Sequence, residues 1–533
     1  MQKSVFFIFI LILALLGPAG NSYAAPEYTY IINGQISDSG NISEDDDVKI
    51  IEAGKGDYNH FIDYAAGYAL DYPGHMWVDV SLSAVKVVIA EKDSQIEIYH
   101  DDFRNTIHSA ASYVAYSNIF LRNREDHCLL MEKNFNLSGL NCHLLQWKRD
   151  KLQGIQNDKN HYLSAEIVRS PYEVYTILIK SSSPTDDFMP IINSFKLIEK
   201  KGEAGIHRSF NIHKHNFNEE TEAFYQNYFA DKPSLQWGIF DPWYSSWPDY
   251  LAGLEKGLDY HFDFLVWYKN IGMDCPLEVL ENAYRDNRYV ELTLQTISSD
   301  QEKNQVIAYD ILRGEYDDYI LAYARQLKEF GHPVLFRLNN EMNGDWCSYS
   351  SLFSSKDCDI YKAVWRYFYN FFRENGVDNV LWVWNPHDLS FPDFKWNHYL
   401  NYYPGDEYVD IIGLTGYNTG TYHKGEKWRD FASIYYPLYN EYCALFQHPL
   451  MITEFACSSI GGDKLKWMED MFAEIGNLDR LRVAIWFNGV DLDSYGNPAR
   501  IYRMDENHAM IEAFAAGLQC STGENEEKAE AIP

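Results

Sequence analysis

Two glutamates stand where carboxylates are costly. The stretch LFRLNNEMNGDW, residues 335–346, carries an apolar run onto Asn339, Asn340 and Glu341, and PLMITEF, residues 449–455, carries another onto Glu454. Dehydrating a carboxylate is unfavourable unless a partner or a chemical task compensates. Two facing carboxyl groups are the minimal equipment for cleaving a glycosidic bond. One donates a proton to the leaving oxygen, the other supports or attacks the anomeric carbon, and the pair must differ in pKa. A gap of about 5–5.5 Å makes the second a nucleophile and retains configuration. For either glutamate alone, a helix cap or an arginine partner is the ordinary explanation; finding both at strand ends among aromatics favours chemistry.

Strands must position such a pair. From residue 235 onward, LQWGIF, HFDFLVWY, YVELTLQT, PVLFRL, NVLWVW, YVDIIGL, PLMIT and RVAIWF alternate with helix-like segments. In residues 316–331, Ile320, Tyr323, Ala324, Leu327 and Phe330 form one stripe and Gly331 marks a stop. Residues 361–376 repeat the plan with Val364, Tyr367, Phe368 and Phe371, closing at Gly376. Eight such units predict an α/β fold, a closed (β/α)₈ TIM barrel over residues 201–518. An open doubly wound sheet is the competitor, disfavoured because no glycine-rich phosphate loop follows the first strand. Catalytic residues of a barrel gather where strands end. Here strands four to eight end in Asn340-Glu341, Trp384-Asn385, Tyr417-Asn418, Glu454 and Trp486-Phe487-Asn488.

Upstream, the alternation in VDVSLS and QIEIYH is strand-like, with a helix expected within 102–116 and a closing helix and strand in FMPIINSFKLIEKKGEAG. Residues 25–200 therefore read as a small α+β domain of unknown role. SEDDD, residues 43–47, reads as a solvated acidic loop, since no ligands at calcium-loop spacing follow. Residues 1–24, with Lys3, an apolar run and Ser22-Tyr23-Ala24, read as a secretory signal, implying a secreted or periplasmic protein. The apolar run is too short to span a membrane, so no span is expected in the mature chain. Residues 519–533 have the composition of a polar tail. A formal charge of -32, from 77 acids against 45 bases, disfavours nucleic acid and anionic lipid as partners. Among eight cysteines, Cys128 with Cys142 and Cys347 with Cys358 are close enough to staple loops, free thiols being the alternative. Neither spacing is that of a zinc site, so neither metal nor cofactor is expected.

HPVLFRLNNEMNGDW, WVWNP, YYPGDEYVDIIGLTGYN and PLMITEFACSS resemble family 26 glycoside hydrolases. That family includes β-mannanases and mixed-linkage β-glucanases, within a larger clan of retaining (β/α)₈ glycosidases. The likeness spans residues 200–518 and leaves out the N-terminal domain. It implies that Glu341 is the acid/base, that Glu454 is the nucleophile, and that Tyr417 hydrogen-bonds the nucleophile. It further implies that Trp486 floors the sugar at the cleavage point and that Trp346 lines the site beside the acid/base. One departure matters: family 26 mannanases usually carry histidine before the acid/base, and this chain has Asn340. Asparagine there is the habit of the wider clan, where its amide holds the sugar 2-hydroxyl. That hydroxyl is axial in mannose and equatorial in glucose, so the exchange weakens a mannan assignment.

Gln295, ending the third strand, is a second amide for that subsite, ordinary loop hydrogen bonding being the alternative for both. Trp237, Trp243, Trp247, Trp267, Trp382, Trp384 and Trp396 lie near strands or the loops after them. Roughly half belong to the core, because barrel walls also use tryptophan. Trp243 and Trp247, in DPWYSSWPDY, are the better sugar-binding candidates. Arg337 either braces Glu454 or fills the barrel as a paired structural charge. These readings converge on a secreted, retaining endo-β-glycanase acting on a β-linked polysaccharide or oligosaccharide: mannan, mixed-linkage glucan or exopolysaccharide. The alternatives are a carbohydrate-binding barrel without turnover and a transglycosylase.

Overall fold

Eight parallel strands close on themselves in a computed structural model that describes residues 28–37, 42–230, 234–297 and 306–521. The signal segment expected at 1–24 and all but the first residues of the expected polar tail lie outside them. The barrel strands are β1 (Gln236–Phe240), β2 (Phe264–Asn270), β3 (Tyr289–Gln295), β4 (Val334–Leu338), β5 (Val380–Trp384), β6 (Ile411–Thr415), β7 (Leu450–Phe455) and β8 (Leu481–Phe487). β1 pairs with β8, Gly238 opposite Ile485, which completes the ring. Gly238 is required there, since a Cβ would sit 2.8 Å from Phe264 of β2 and 3.0 Å from Ile485 of β8.

Alternation along each strand sends one set of side chains inward and the other toward the helices. Phe264, Val266, Leu335, Leu381, Val383, Ile411, Met451, Val483 and Ile485 pack together inside. Phe224 and Phe229, from the helical segment before β1, join that cluster and close the barrel floor. Outside, the helix Asp317–Phe330 buries Ile320, Tyr323, Ala324 and Leu327 and ends at Gly331 in the left-handed conformation. The helix Cys358–Glu374 centres its buried face on Tyr361, Val364, Trp365, Phe368 and Phe372, leaving Tyr367 and Phe371 at the edge. Aromatics on nearly every side of that helix blur the stripe's edge.

The N-terminal region is two antiparallel sheets, of six and seven strands, with the short helices Ala110–Ser117 and Met189–Ser194. Phe61 and Leu70 of one sheet share a buried cluster with Ile96 and Ile177 of the other. The acidic loop is solvated only in part. Asp47 is buried, paired with Lys49 and 2.7 Å from His207 Nε2, so the solvated reading fails for that residue. All eight cysteines are free. The sheet register sets Cys142 opposite Phe135 and Cys128 opposite Lys148, which separates the two thiols by about 20 Å.

The outer face of the seven-stranded sheet meets the barrel. Phe120, Trp147 and Tyr162 cluster with Leu352, Phe394 and Trp396 from barrel loops. Lys180 Nζ lies 2.9 Å from Asp357, and Lys356 Nζ lies 2.9 Å from Glu166. The segment following β4, which carries Glu341, is thereby pinned to the N-terminal sheets. No helix among the described residues is long and apolar enough to cross a membrane.

Candidate active site

Beyond the end of β4 the backbone turns abruptly. Asn339 and Glu341 both adopt left-handed conformations, with φ of 55° and 53°. Non-glycine residues adopt these rarely, at a cost of order 1–3 kcal/mol, and they cluster at functional sites. Hydrogen bonds hold the turn. Thr296 N–H donates to Asn339 Oδ1 at 2.7 Å, Glu341 N–H to the Asn385 carbonyl at 2.8 Å, and Tyr349 Oη to the Asn340 carbonyl at 2.6 Å.

The two glutamates have unlike surroundings. Glu454, on β7, meets Arg337 Nη1 at 2.6 Å on one oxygen and accepts from Tyr417 Oη at 2.8 Å on the other. Asn340 Nδ2 adds a longer donation at 3.4 Å, and Gln295 Nε2 donates to Asn340 Oδ1 at 3.0 Å, fixing the amide's direction. Among the described residues Glu341 has one hydrogen-bond donor, Trp346 Nε1, at 3.2 Å, with His387 Nε2 4.0 Å away. Burial pushes the Glu341 carboxyl up to about 7. The charge of Glu454 pushes the same way, while His387 and Arg337 oppose it.

Arg337 both braces Glu454 and fills the barrel. Fully buried, it donates to Thr293 Oγ1 at 2.8 Å and Asn385 Oδ1 at 3.0 Å, and its guanidinium lies 5.4 Å from the Tyr268 ring centre. Its Nε is 3.1 Å from Glu291, a β3 carboxyl that burial pushes up to about 8 despite that proximity. Arg337 thus stands between two carboxyls and lies nearer Glu454, at 2.6 Å against 3.1 Å.

Trp486 corrects the sequence reading. It is 0% exposed and points outward, among the rings of Phe455, Trp467 and Phe514, with its indole donating to the Tyr502 carbonyl at 3.0 Å. It cannot floor a sugar. Strand parity explains why: Val483, Ile485 and Phe487 share the inner face, and Trp486 falls between them. Phe487 stacks on Phe240 at 4.5 Å and meets the Tyr417 ring at 5.9 Å, which makes it the aromatic surface at this end of the site. Trp346, 47% exposed, is at the site as expected. Trp243 and Trp247 lie on the rim: Trp243 packs beneath Arg503 at 5.0 Å, both contact Tyr250, and Asn488 beyond β8 donates to the Tyr250 hydroxyl. Trp237, Trp384 and Trp396 are core. His387, Phe487 and Glu291 were not singled out from sequence; parity along β3 and β8 would have found the last two.

The known proteins that this chain resembles bear on the same region. Residues 283–448 match the model of glycosyl hydrolase family 26, a segment that holds Arg337, Asn340, Glu341, His387 and Tyr417 and ends before Glu454. Endoglucanase H of Acetivibrio thermocellus is 33% identical over 183 residues, 34% of this chain and 20% of that protein. A mannan endo-1,4-beta-mannosidase of Bacillus subtilis is 40% identical over 183 residues, 32% of this chain and 48% of that protein. The catalytic domain of an endo-beta-1,4-mannanase from Bacillus sp. JAMB-750 superposes with a TM-score of 0.45 at 18% identity, covering 59% of this chain and 93% of that one. The chain spans about half or less of the curated relatives' length.

Proposed function

We propose, from a (β/α)₈ barrel whose residues 283–448 carry the family 26 signature, that this chain is a retaining endo-β-glycanase. The observation that carries the reading is the asymmetry of its two carboxyls. Glu454 is clamped by a guanidinium and a phenol, the surroundings of an anion, whereas Glu341 is dehydrated and titrates near 7. In this reading Glu454 attacks the anomeric carbon and forms a glycosyl ester while Glu341 gives its proton to the departing oxygen. The resulting Glu341 anion then takes a proton from water, which attacks the ester and releases the sugar with its configuration retained. Asn340 donates to the sugar 2-hydroxyl. The chemistry needs neither metal nor cofactor.

The substrate is a β-linked polysaccharide, a mannan, mixed-linkage glucan or exopolysaccharide; the relatives' names, an endoglucanase and a mannan endo-1,4-beta-mannosidase, support a glucan or a mannan. Residues 201–518 form the catalytic unit and residues 25–200 an accessory one. Export rests on the signal-like segment at 1–24, and N-terminal sequencing of the mature protein tests it.

Reducing-end release from β-mannan, glucomannan, mixed-linkage glucan, β-1,3-xylan and exopolysaccharide tests the activity. Hydrolysis of one polymer, lost in both Glu341→Ala and Glu454→Ala, is the expected result. Silence across the panel, with polymer binding intact, overturns it in favour of a binding barrel. The pH profile gives a separate check. Because Glu341 must enter the reaction protonated, kcat/KM is expected to fall as pH rises through about 7. Glu341→Gln should remove that alkaline limb from its residual activity, and a limb unchanged in that variant would assign it to another group.

A further inference from the structure

A cavity of about 620 Å³ opens between the N-terminal sheets and the barrel mouth. One wall is the N-terminal loop at residues 105–108 together with Tyr116, and the other is the segment 388–393 that follows β5. The cavity lies beside the site just described. Phe391, on the barrel wall, stands 5.6 Å from the Trp346 ring, whose indole donates to Glu341. Asp345, beside Trp346, lines the cavity and accepts from Tyr116 Oη at 2.6 Å, which ties the two walls together.

Its surface has the chemistry of a sugar site. Ile107, Leu389 and Phe391 are left in water on facing walls, Ile107 at 97% exposure, interleaved with Asn105, Thr106 and Ser390. Apolar faces with hydroxyl and amide groups between them suit a pyranose, which has an apolar C–H face and an equatorial rim of hydroxyls. Charge narrows the choice further. Asp345, Asp393 and Glu441 line the cavity with Asp388, which Arg429 pairs, and no lysine or arginine is among the lining residues. Burial pushes both histidines there, His108 and His398, below their usual value, so neither supplies a positive charge near neutral pH. An anionic sugar is repelled.

Direction follows from the neighbours. The cavity adjoins Trp346, on the Glu341 side, through Phe391 and Asp345, and shares no lining residue with the Arg337, Tyr417 and Phe487 surroundings of Glu454. The acid protonates the leaving oxygen, so the leaving chain departs on its side. We propose that this groove binds sugar units on the leaving-group side of a neutral β-glycan, so that the N-terminal sheets form part of the substrate cleft. The inference rests on the glycanase reading for its direction, and on the groove alone for its binding.

Kinetics of the full-length chain test it, with Ile107→Asp on one wall and Leu389→Ala on the other. Mannohexaose and cellohexaose are compared with dinitrophenyl β-mannobioside and β-cellobioside, whose leaving group does not reach the groove. Ile107→Asp is expected to lower kcat/KM on the hexasaccharide about tenfold, mainly through KM, and to leave the aryl glycoside within about twofold. Unchanged hexasaccharide kinetics in both variants overturns the proposal. If the wild-type chain cleaves no substrate, the glycanase reading fails by itself, and retardation in glucomannan-containing native gels reads the groove instead. Retardation lost in Ile107→Asp supports the groove, and equal retardation overturns it. A glucuronate-bearing hexasaccharide bound as tightly as the neutral one overturns the neutral-glycan assignment.

Discussion

Replacing Glu454 with alanine is expected to lower kcat by on the order of 10⁴-fold, the scale on which a covalent nucleophile is lost. The fold should persist, because Glu291 stands 3.1 Å from Arg337 and can ionise to replace the missing negative charge once Glu454 no longer repels it. Added azide should occupy the vacated space and attack the anomeric carbon from the nucleophile's side, giving an α-glycosyl azide from a β-glycoside. Glu341→Ala should behave in the opposite sense. There azide enters at the second step, from the acid/base side, and a substrate with a good leaving group yields the β-glycosyl azide. NMR of the azide products reads the assignment directly. The same anomer from both variants, or rescue in neither, would show that the two roles are misplaced.

Arg337→Met is expected to be the most destabilising single change in the site. It removes the cation from a buried carboxylate and leaves Tyr417 as the strong donor to Glu454. Removing one partner of a buried ion pair costs about 3–5 kcal/mol, most of it the penalty on the charge left behind. The double variant Arg337→Met/Glu454→Gln removes that charge as well, and should recover most of the stability but none of the activity. Denaturant titration and kcat on the same samples separate the two effects. A single variant that unfolds at the wild-type denaturant concentration would mean that Arg337 is not the counter-charge of Glu454.

Much of the site was legible because strand ends in a barrel converge. All eight barrel strands were visible as β-branched or aromatic runs, and knowing that they close into a ring was enough to bring Glu341, Asn340, Gln295, Arg337, Tyr417 and Glu454 to one mouth. The Trp486 assignment failed on parity. A one-residue shift along a strand moves a side chain from the barrel interior to the helix layer, and the motif did not say which of Trp486 and Phe487 faced in. Outside the barrel, alternation marked strands but could not pair them, so the two-sheet arrangement, the register that separates Cys128 from Cys142, and the burial of Asp47 were all hidden.

The amino-acid sequence by itself determined the barrel, its strand order and which acids end which strands, since these depend on local periodicity and on the convergence that closure imposes. Only the tertiary structure decided how the two acids differ. The elevated titration of Glu341 comes from burial and from the charge of Glu454 on β7, against His387 and Arg337, and the clamp on Glu454 comes from Arg337 on β4 and Tyr417 just beyond β6. Electrostatic environments are sums over groups distant in the chain, as is the groove beside the N-terminal sheets, whose two walls are more than 270 residues apart in sequence. Such features exist only once the elements have packed.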